Sequence, residues 1–362
     1  MKILYALQGT GNGHLARATE IVPLLCKQGD VDVLISGIQS DISPPFDVKY
    51  KLFGLSFIFG KNGGVDLFKT IVRSNLFKLF RDIYRLPVKS YDLVISDFEP
   101  ISAWACKLRN VQCIGLSHQN AVLHPKAHRP AKNDWLGKLI LKYYSPATIK
   151  YGFHFSSLDE MNFTPVIRSA IRKSKPQNKG HYTVYLPAYS DEEIAKILGK
   201  FKNIKWEVFS KHCIQPHKTG SIQFNAISVK GFNESFVNCT GILCTAGFET
   251  PAEAIFMGKK LCVVPMKNQY EQACNAASLA EMGVTTINNT QEIAPTLKSW
   301  LSDDFSLHIP YSDEIETILS ELVQNHGGIS RFKPRARKFD QTIQEKQVKS
   351  SPVSSRLRQK HL

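Results

Sequence analysis

A histidine that follows three closely spaced glycines is the first chemically suggestive feature of this 362-residue chain. In Leu7-Gln8-Gly9-Thr10-Gly11-Asn12-Gly13-His14, Gly9, Gly11 and Gly13 permit backbone angles that other residues avoid, and a ligand could approach the main chain there. His14 stands where a helix should begin, and the helix dipole at that end lowers imidazole basicity and favours the neutral form. A neutral imidazole facing a cleft can take the proton of a hydroxyl nucleophile; a histidine that merely caps the helix would do no chemistry. Asp97 ends the apolar run Asp92-Leu93-Val94-Ile95-Ser96-Asp97. A carboxylate at that rim could orient and stabilise an imidazolium, or cap a helix before Pro100. Ser117-His118-Gln119-Asn120 leaves the next apolar run as polar groups for a hydroxylated ligand or as a plain polar turn.

A second loop, Thr245-Ala246-Gly247-Phe248-Glu249-Thr250-Pro251-Ala252-Glu253, reads as a strand end, a small-residue turn and a helix start near Thr250. Exposed N–H groups at such a start suit a phosphate. Thr250 and Glu253 also match a T-x-x-E capping box and could be nothing more. The first loop is not a dinucleotide fingerprint, because the second strand ends in Ile35-Ser36-Gly37 without an acidic residue. It lacks the GKS/T of a Walker loop. Asp303-Asp304 falls at a predicted helix end away from these loops, so no metal-binding DxD pair is expected at the site.

The elements that must position these residues alternate. Residues 2–7, 31–36, 92–97, 111–117 and 152–157 read as short buried strands. Leu15, Ala18, Val22 and Leu25 lie at helical spacing between the first two. A polar stretch from Arg172 to Gly180 has linker composition. Alternation then restarts with strands at 181–187, 204–210, 222–229, 241–245 and 260–266, and Ser190 with Glu193 forms a capping box for a helix through Phe201. The expected architecture is α/β: two facing, doubly wound Rossmann-like domains over 1–170 and 181–328, a linker at 171–180, and a ligand cleft between the carboxyl ends of their strands.

Composition narrows the class. The 43% hydrophobic and 21% charged fractions suit a folded chain, and no apolar run is long enough to span a membrane. Cys113, Cys244 and Cys262 sit in apolar runs and no CxxC pair exists, so reduced, mostly buried thiols and a cytoplasmic location are expected. The net charge of +15 is uneven: 331–362 holds ten Lys/Arg against Asp340 and Glu345, a balance of +8, which makes 329–362 a basic tail. Its aromatics are Phe332 and Phe339 alone, so nucleic acid is not the expected partner. Residues 66–85 carry Phe68, Ile71, Val72, Leu76, Leu79, Phe80 and Ile83 at helical spacing with Lys69, Arg73, Lys78, Arg81 and Arg85. Such a helix either packs on its own core or lies in lipid headgroups.

Taken together, these stretches resemble the GT-B glycosyltransferases that use nucleotide sugars, such as the UDP-glycosyltransferases and the peptidoglycan enzyme that transfers N-acetylglucosamine to lipid I. Gly13-His14-Leu15-Ala16 looks like their N-terminal glycine–histidine loop, with Gly11, Asn12 and Gly13 on the acceptor side, and 93–98 looks like the strand that carries the aspartate partner of the histidine. His118-Gln119-Asn120 is similar to the acceptor-side HEQN stretch of the peptidoglycan enzyme. The region from Gly247 to Ala276 resembles the donor signature, with Glu253 at the ribose-binding glutamate and Gln272 at a sugar-binding glutamine. The resemblance adds Thr245, Phe248, Thr250, Glu271 and Asn275 to the donor wall. It makes Phe232 and Asn233, in the loop after 222–229, candidates for holding the base. Thr245 and Glu249 stand where the plant enzymes have histidine and asparagine, and Glu271 replaces a sugar-gripping aspartate or glutamine, so the donor sugar stays open.

The implied activity is a hexosyltransferase-type, inverting transfer from a nucleotide sugar, UDP-linked by resemblance, with His14 as general base and Asp97 orienting it. No cofactor or metal is implied. The implied partners are the nucleotide-sugar donor and a lipid-linked acceptor or anionic membrane surface, at the inner face of the membrane. A UDP-N-acetylglucosamine 2-epimerase-like enzyme and a non-catalytic nucleotide-sugar- or lipid-binding protein are the alternatives on the same fold.

Overall fold

Apolar runs rich in Ile, Leu and Val form strands that are buried on both faces, which requires helices above and below them. The computed structural model describes residues 1–37, 44–54, 75–289 and 292–328; the basic tail, and the part of the amphipathic segment before Asn75, lie outside the described residues. In the first half, β1 (Lys2–Gln8), α1 (Gly13–Cys26), β2 (Asp30–Ser36), β3 (Tyr50–Leu52), α2 (Leu76–Arg85), β4 (Leu93–Asp97), α3 (Pro100–Leu108), β5 (Ile114–Leu116), α4 (His118–Val122), α5 (Trp135–Tyr143), β6 (Ile149–Phe153), β7 (Asn162–Phe163) and α6 (Ser169–Arg172) follow one another. The second half runs β8 (His181–Tyr185), α7 (Asp191–Leu198), β9 (Lys205–Ser210), β10 (His217–Thr219), β11 (Ile222–Ala226), α8 (Val229–Asn238), β12 (Gly241–Thr245), α9 (Glu249–Phe256), β13 (Lys260–Val264), α10 (Tyr270–Glu281), β14 (Thr285–Thr286), α11 (Ile293–Ser302) and α12 (Ile315–His326).

Among the described residues the strands make two seven-stranded sheets, ordered β3-β2-β1-β4-β5-β6-β7 and β10-β11-β9-β8-β12-β13-β14. All pairings are parallel except β10 with β11. Register explains the site. β1 pairs with β4 so that Leu7 lies opposite Asp97, which sets the glycine loop after β1 beside the carboxylate that ends β4. In the second sheet Thr245 lies opposite Val264, so the donor-like loop leaves its sheet at the carboxyl edge, where ligands bind in open α/β sheets.

The expected strands recur with shifted ends, and the fifth runs Ile149–Phe153 rather than 152–157. The short edge strands β3, β7, β10 and β14 have too few residues for their periodicity to show. Leu15, Ala18, Val22 and Leu25 all bury on the first sheet, joined by Ile21. Ser190 and Glu193 form the expected capping box, and its helix stops at Leu198.

Two elements depart from the sequence reading. The stretch 181–328 is not confined to the second half: α12 returns to pack on α1, with Leu319 and Leu322 in the same core as Leu15 and Ile21. Lys27 pairs with Glu316 at 3.0 Å and Gln28 donates to Ser320 at 2.7 Å. The apolar face of α2 also divides. Leu79 and Ile83 turn to the core, whereas Leu76 and Phe80 stay exposed beside Phe77 and Tyr84. Ten residues form under three turns, and one packed side covers only an i, i+4 pair.

Leu319 is the fully buried seat of α12. Leu319→Ala should remove about 2–5 kcal/mol, the range for truncating a buried leucine, read as a lower urea midpoint for the whole chain. An unchanged midpoint would mean that α12 does not hold the first half.

Candidate active site

Asp97 anchors the site. It ends β4 with no solvent exposure and accepts from His14 Nδ1 (2.9 Å), from Arg17 Nε (3.1 Å) and Nη2 (2.7 Å), and from the Tyr5 hydroxyl at 3.4 Å. Burial alone would push its pKa up, but Arg17 and His14 together hold it below the usual carboxylate range. A carboxylate only accepts, so the contact requires a proton on His14 Nδ1 and leaves Nε2 as the basic lone pair. Nε2 lies 3.4 Å from Gln119 Nε2, whose amide also donates to Glu271 at 3.1 Å. Burial works against the imidazolium of His14, yet the adjacent Asp97 outweighs it and raises the pKa. The expected lowering by the helix dipole is thus reversed, because a full charge in contact exceeds the partial charge of a helix end.

Facing this wall is the loop from Thr245 into α9. Thr245, Gly247, Phe248, Glu249, Thr250 and Glu253 line one cleft of about 730 Å³ together with Gly11, Asn12, Gly13, His14, Arg17, His118 and Gln119. The capping-box alternative for Thr250 and Glu253 is not formed: α9 starts at Glu249 without a side-chain cap. Glu253 instead takes two 2.7 Å bonds from Arg168 Nε and Nη2. Glu249 pairs across the cleft with Arg17 Nη1.

Several expected ligand groups are already engaged. Gln272 lines the cleft, but its amide oxygen accepts from the Met266 N–H at 2.9 Å. Asn275 lies off the cleft between Ala246 and His118. Asn120 turns back to the Tyr151 carbonyl at 2.9 Å. Phe232 and Asn233 sit on α8 rather than in a loop, and both reach the cleft. Glu271 lines it too, with its pKa raised by burial against the opposing pull of His14 and Gln119. Asn12 Oδ1, Gln119 Oε1 and Asn233 Oδ1 are buried without a partner among the described residues, and a polar ligand would satisfy such acceptors. Among the described residues, no group of three or more His, Cys, Asp or Glu side chains is placed to hold a metal ion.

The chain matches the family model described as glycosyl transferase family 1 over residues 1–303. It belongs to that family. Solved structures with a similar fold include MurG of Acinetobacter baumannii, at 14% identity and a TM-score of 0.52, over 90% of this chain and 100% of that one. A UDP-glucosyltransferase from Polygonum tinctorium matches at 13% identity and a TM-score of 0.55, over 90% and 94% of the two chains. UGT89C1 of Arabidopsis thaliana, complexed with UDP, matches at 11% identity and a TM-score of 0.51, over 88% and 90%. No curated protein matches the sequence. The fold is GT-B, two Rossmann-like halves facing each other, and the chain is a glycosyltransferase.

Reading the sequence missed Arg17 and Arg168 in this glycosyltransferase. Arg17 had one local signal, its position three residues after His14, which puts both on one helix face. Arg168 had none.

The halves also meet through a histidine. The His118 ring stacks on Phe248 at 3.8 Å, its Nδ1 lies 2.8 Å from the Phe153 carbonyl, and its Nε2 lies 2.6 Å from the Asn275 amide. Burial lowers the His118 pKa to about 4 and, with help from the charge of His118, that of His154 to about 3. The unfolded chain therefore binds protons below pH 6.5 that the folded enzyme refuses, so stability is lost as pH falls below that value. His14, with its raised pKa, works in the opposite direction. The clean test compares wild type with His154→Gln in urea at pH 7 and pH 5. The wild type should lose about 2 kcal/mol more than the variant, and equal losses would show that His154 is not held neutral.

Proposed function

We propose that this enzyme moves a sugar from a UDP-linked donor to an acceptor hydroxyl in one inverting displacement, with His14 as general base and Asp97 orienting it. The observation that carries this reading is the 2.9 Å contact of His14 Nδ1 with Asp97 Oδ1 on the cleft wall opposite the start of α9. The acceptor O–H gives its proton to His14 Nε2 as its oxygen bonds to the anomeric carbon. The bond from that carbon to the diphosphate breaks, its electron pair leaves with UDP, and Asp97 stabilises the imidazolium. N–H groups at the start of α9 and the hydroxyls of Thr245 and Thr250 stabilise the leaving diphosphate, without a divalent ion. Gly247, Phe248, Asn233 and Glu271 complete the donor wall, and Glu253 reaches a ribose by sharing its carboxylate with Arg168. Gly11, Asn12, Gly13 and Gln119 form the acceptor side. The free cysteines, mostly buried, suit a reducing compartment such as the cytoplasm.

Losing a positioned base lowers rate by about 10²–10⁴-fold. His14→Ala should therefore release UDP from UDP-sugars that much more slowly, while calorimetry finds its UDP affinity nearly unchanged. Wild-type turnover should survive EDTA. Near-normal turnover in His14→Ala would overturn the base, and absence of UDP binding would overturn the donor.

An amphiphilic, lipid-linked acceptor follows from a separate observation. α2 exposes Phe77 (81%), Phe80 and Tyr84 beside Lys78, Arg81 and Arg85, and α5 exposes Trp135, Leu139 and Tyr143. Trp135 also lines the cleft, so α5 carries apolar surface from the cleft mouth outward. No helix among the described residues is long and apolar enough to cross a membrane, and the reading is of surface docking. Co-sedimentation with anionic vesicles should be salt-sensitive and should fall in Phe77→Ser/Phe80→Ser. Equal partitioning onto neutral vesicles, or none onto either, would favour an acceptor free in solution.

A further inference from the structure

Arg17 is the least exposed cation of the cleft, with 2% of its side chain accessible, and both ends of its guanidinium fork are taken. Nε and Nη2 bind Asp97 from the same half of the molecule, and Nη1 binds Glu249 from the other. Asp97 Oδ1 is shared, 2.7 Å from Arg17 Nη2 and 2.9 Å from His14 Nδ1. Arg17 Nη2 is itself 3.2 Å from His14 Nδ1, so two donors compete for one carboxylate oxygen.

A guanidinium with Asp97 as its sole counter-charge would draw that carboxylate's charge away from the imidazole. Glu249 supplies the second counter-charge. Its approach has a separate structural requirement at Gly13, where a Cβ would stand 2.5 Å from Glu249 Oε2. The glycine before His14 thus leaves room for a carboxylate of the opposite half.

We propose that Arg17 is a positioning residue of this site, competing with His14 for the Asp97 carboxylate, while Glu249 reaches across from α9 to balance the Arg17 charge. The inference rests on the roles of His14 and Asp97 proposed above, and it makes the base depend on a residue of the donor-side helix. The charged and titratable groups that face His14 are Arg17 on its own helix, Asp97 at the end of β4, Tyr5 of β1 through Asp97, His118 of α4, Glu249 of α9 and Glu271 of α10. Of these, Arg17 opposes the His14 proton and Glu249 favours it.

Side-chain NMR titration of the full chain, with the His14 signal assigned by its loss in His14→Ala, reads this directly. Arg17→Gln should move the His14 midpoint up by about one pH unit, the scale of one neighbouring charge, and Glu249→Gln should move it down. Gly13→Ala alters no charge but crowds the Glu249 carboxylate, and should move the midpoint down by less. If Arg17→Gln fails to fold, Glu249→Gln carries the test, since its side chain is only part-buried at 19%. Midpoints that stay put, or shift the same way in Arg17→Gln and Glu249→Gln, would overturn the proposal. UDP calorimetry on the same samples separates the two readings. Shifted midpoints without nucleotide binding would remove the donor and leave Arg17 in its role; intact binding with unmoved midpoints would remove Arg17 alone.

Discussion

A charged carboxylate with no solvent contact has to be surrounded by cations and donors, because its hydration is lost and little in the protein interior replaces it. Asp97 is that group, and much of the local structure answers it. α1 begins at Gly13, so His14 and Arg17 face β4 from one side of the helix. Tyr5 adds a hydroxyl from the neighbouring strand. Arg17, buried in turn, needs a second carboxylate, and Glu249 crosses the cleft to supply it. The chain of compensation starts at a strand end in one sheet and finishes at a helix start over the other.

The same logic governs how the halves are joined. The His118 ring lies flat on Phe248 and beside the Asn275 amide, and burial lowers its pKa. Gly137 of α5 sits flush on Tyr270 of α10, where a larger residue would collide. α12 closes the join from outside by packing on α1. Apolar stacking and small residues thus hold the halves together, with the exposed Lys27–Glu316 pair on the outside, and buried charge pairs gather where the cleft has chemistry to do. Among the described residues the cleft wall retains unpartnered acceptors at Asn12, Gln119 and Asn233, a sign that it is built for a polar occupant rather than sealed as a core.

Much was legible from the residues in order. The alternation of strands and helices, the buried face of α1 and the Ser190–Glu193 cap depend on spacings of a few residues. The rim positions of His14, Asp97 and the loop from Thr245 to Glu253 follow once parallel strands are inferred, because loops at their carboxyl ends share an edge. What the sequence could not state is which polar groups would be used up. Gln272, Asn275 and Asn120 have the same types as ligand-binding residues, yet packing turns them to backbone or side-chain partners.

The sequence by itself determined the two sheets, the cleft edge and the residue types along it, since each rests on local periodicity and short turns. Tertiary structure alone decided the pairings that set the chemistry: Arg17 with Asp97 and Glu249, Arg168 with Glu253, and His118 with Asn275. These partners are 80, 232, 85 and 157 residues apart. No spacing rule reaches so far. Strand register and the closing of one half on the other bring the charges within bonding distance, and burial then makes each depend on its partner.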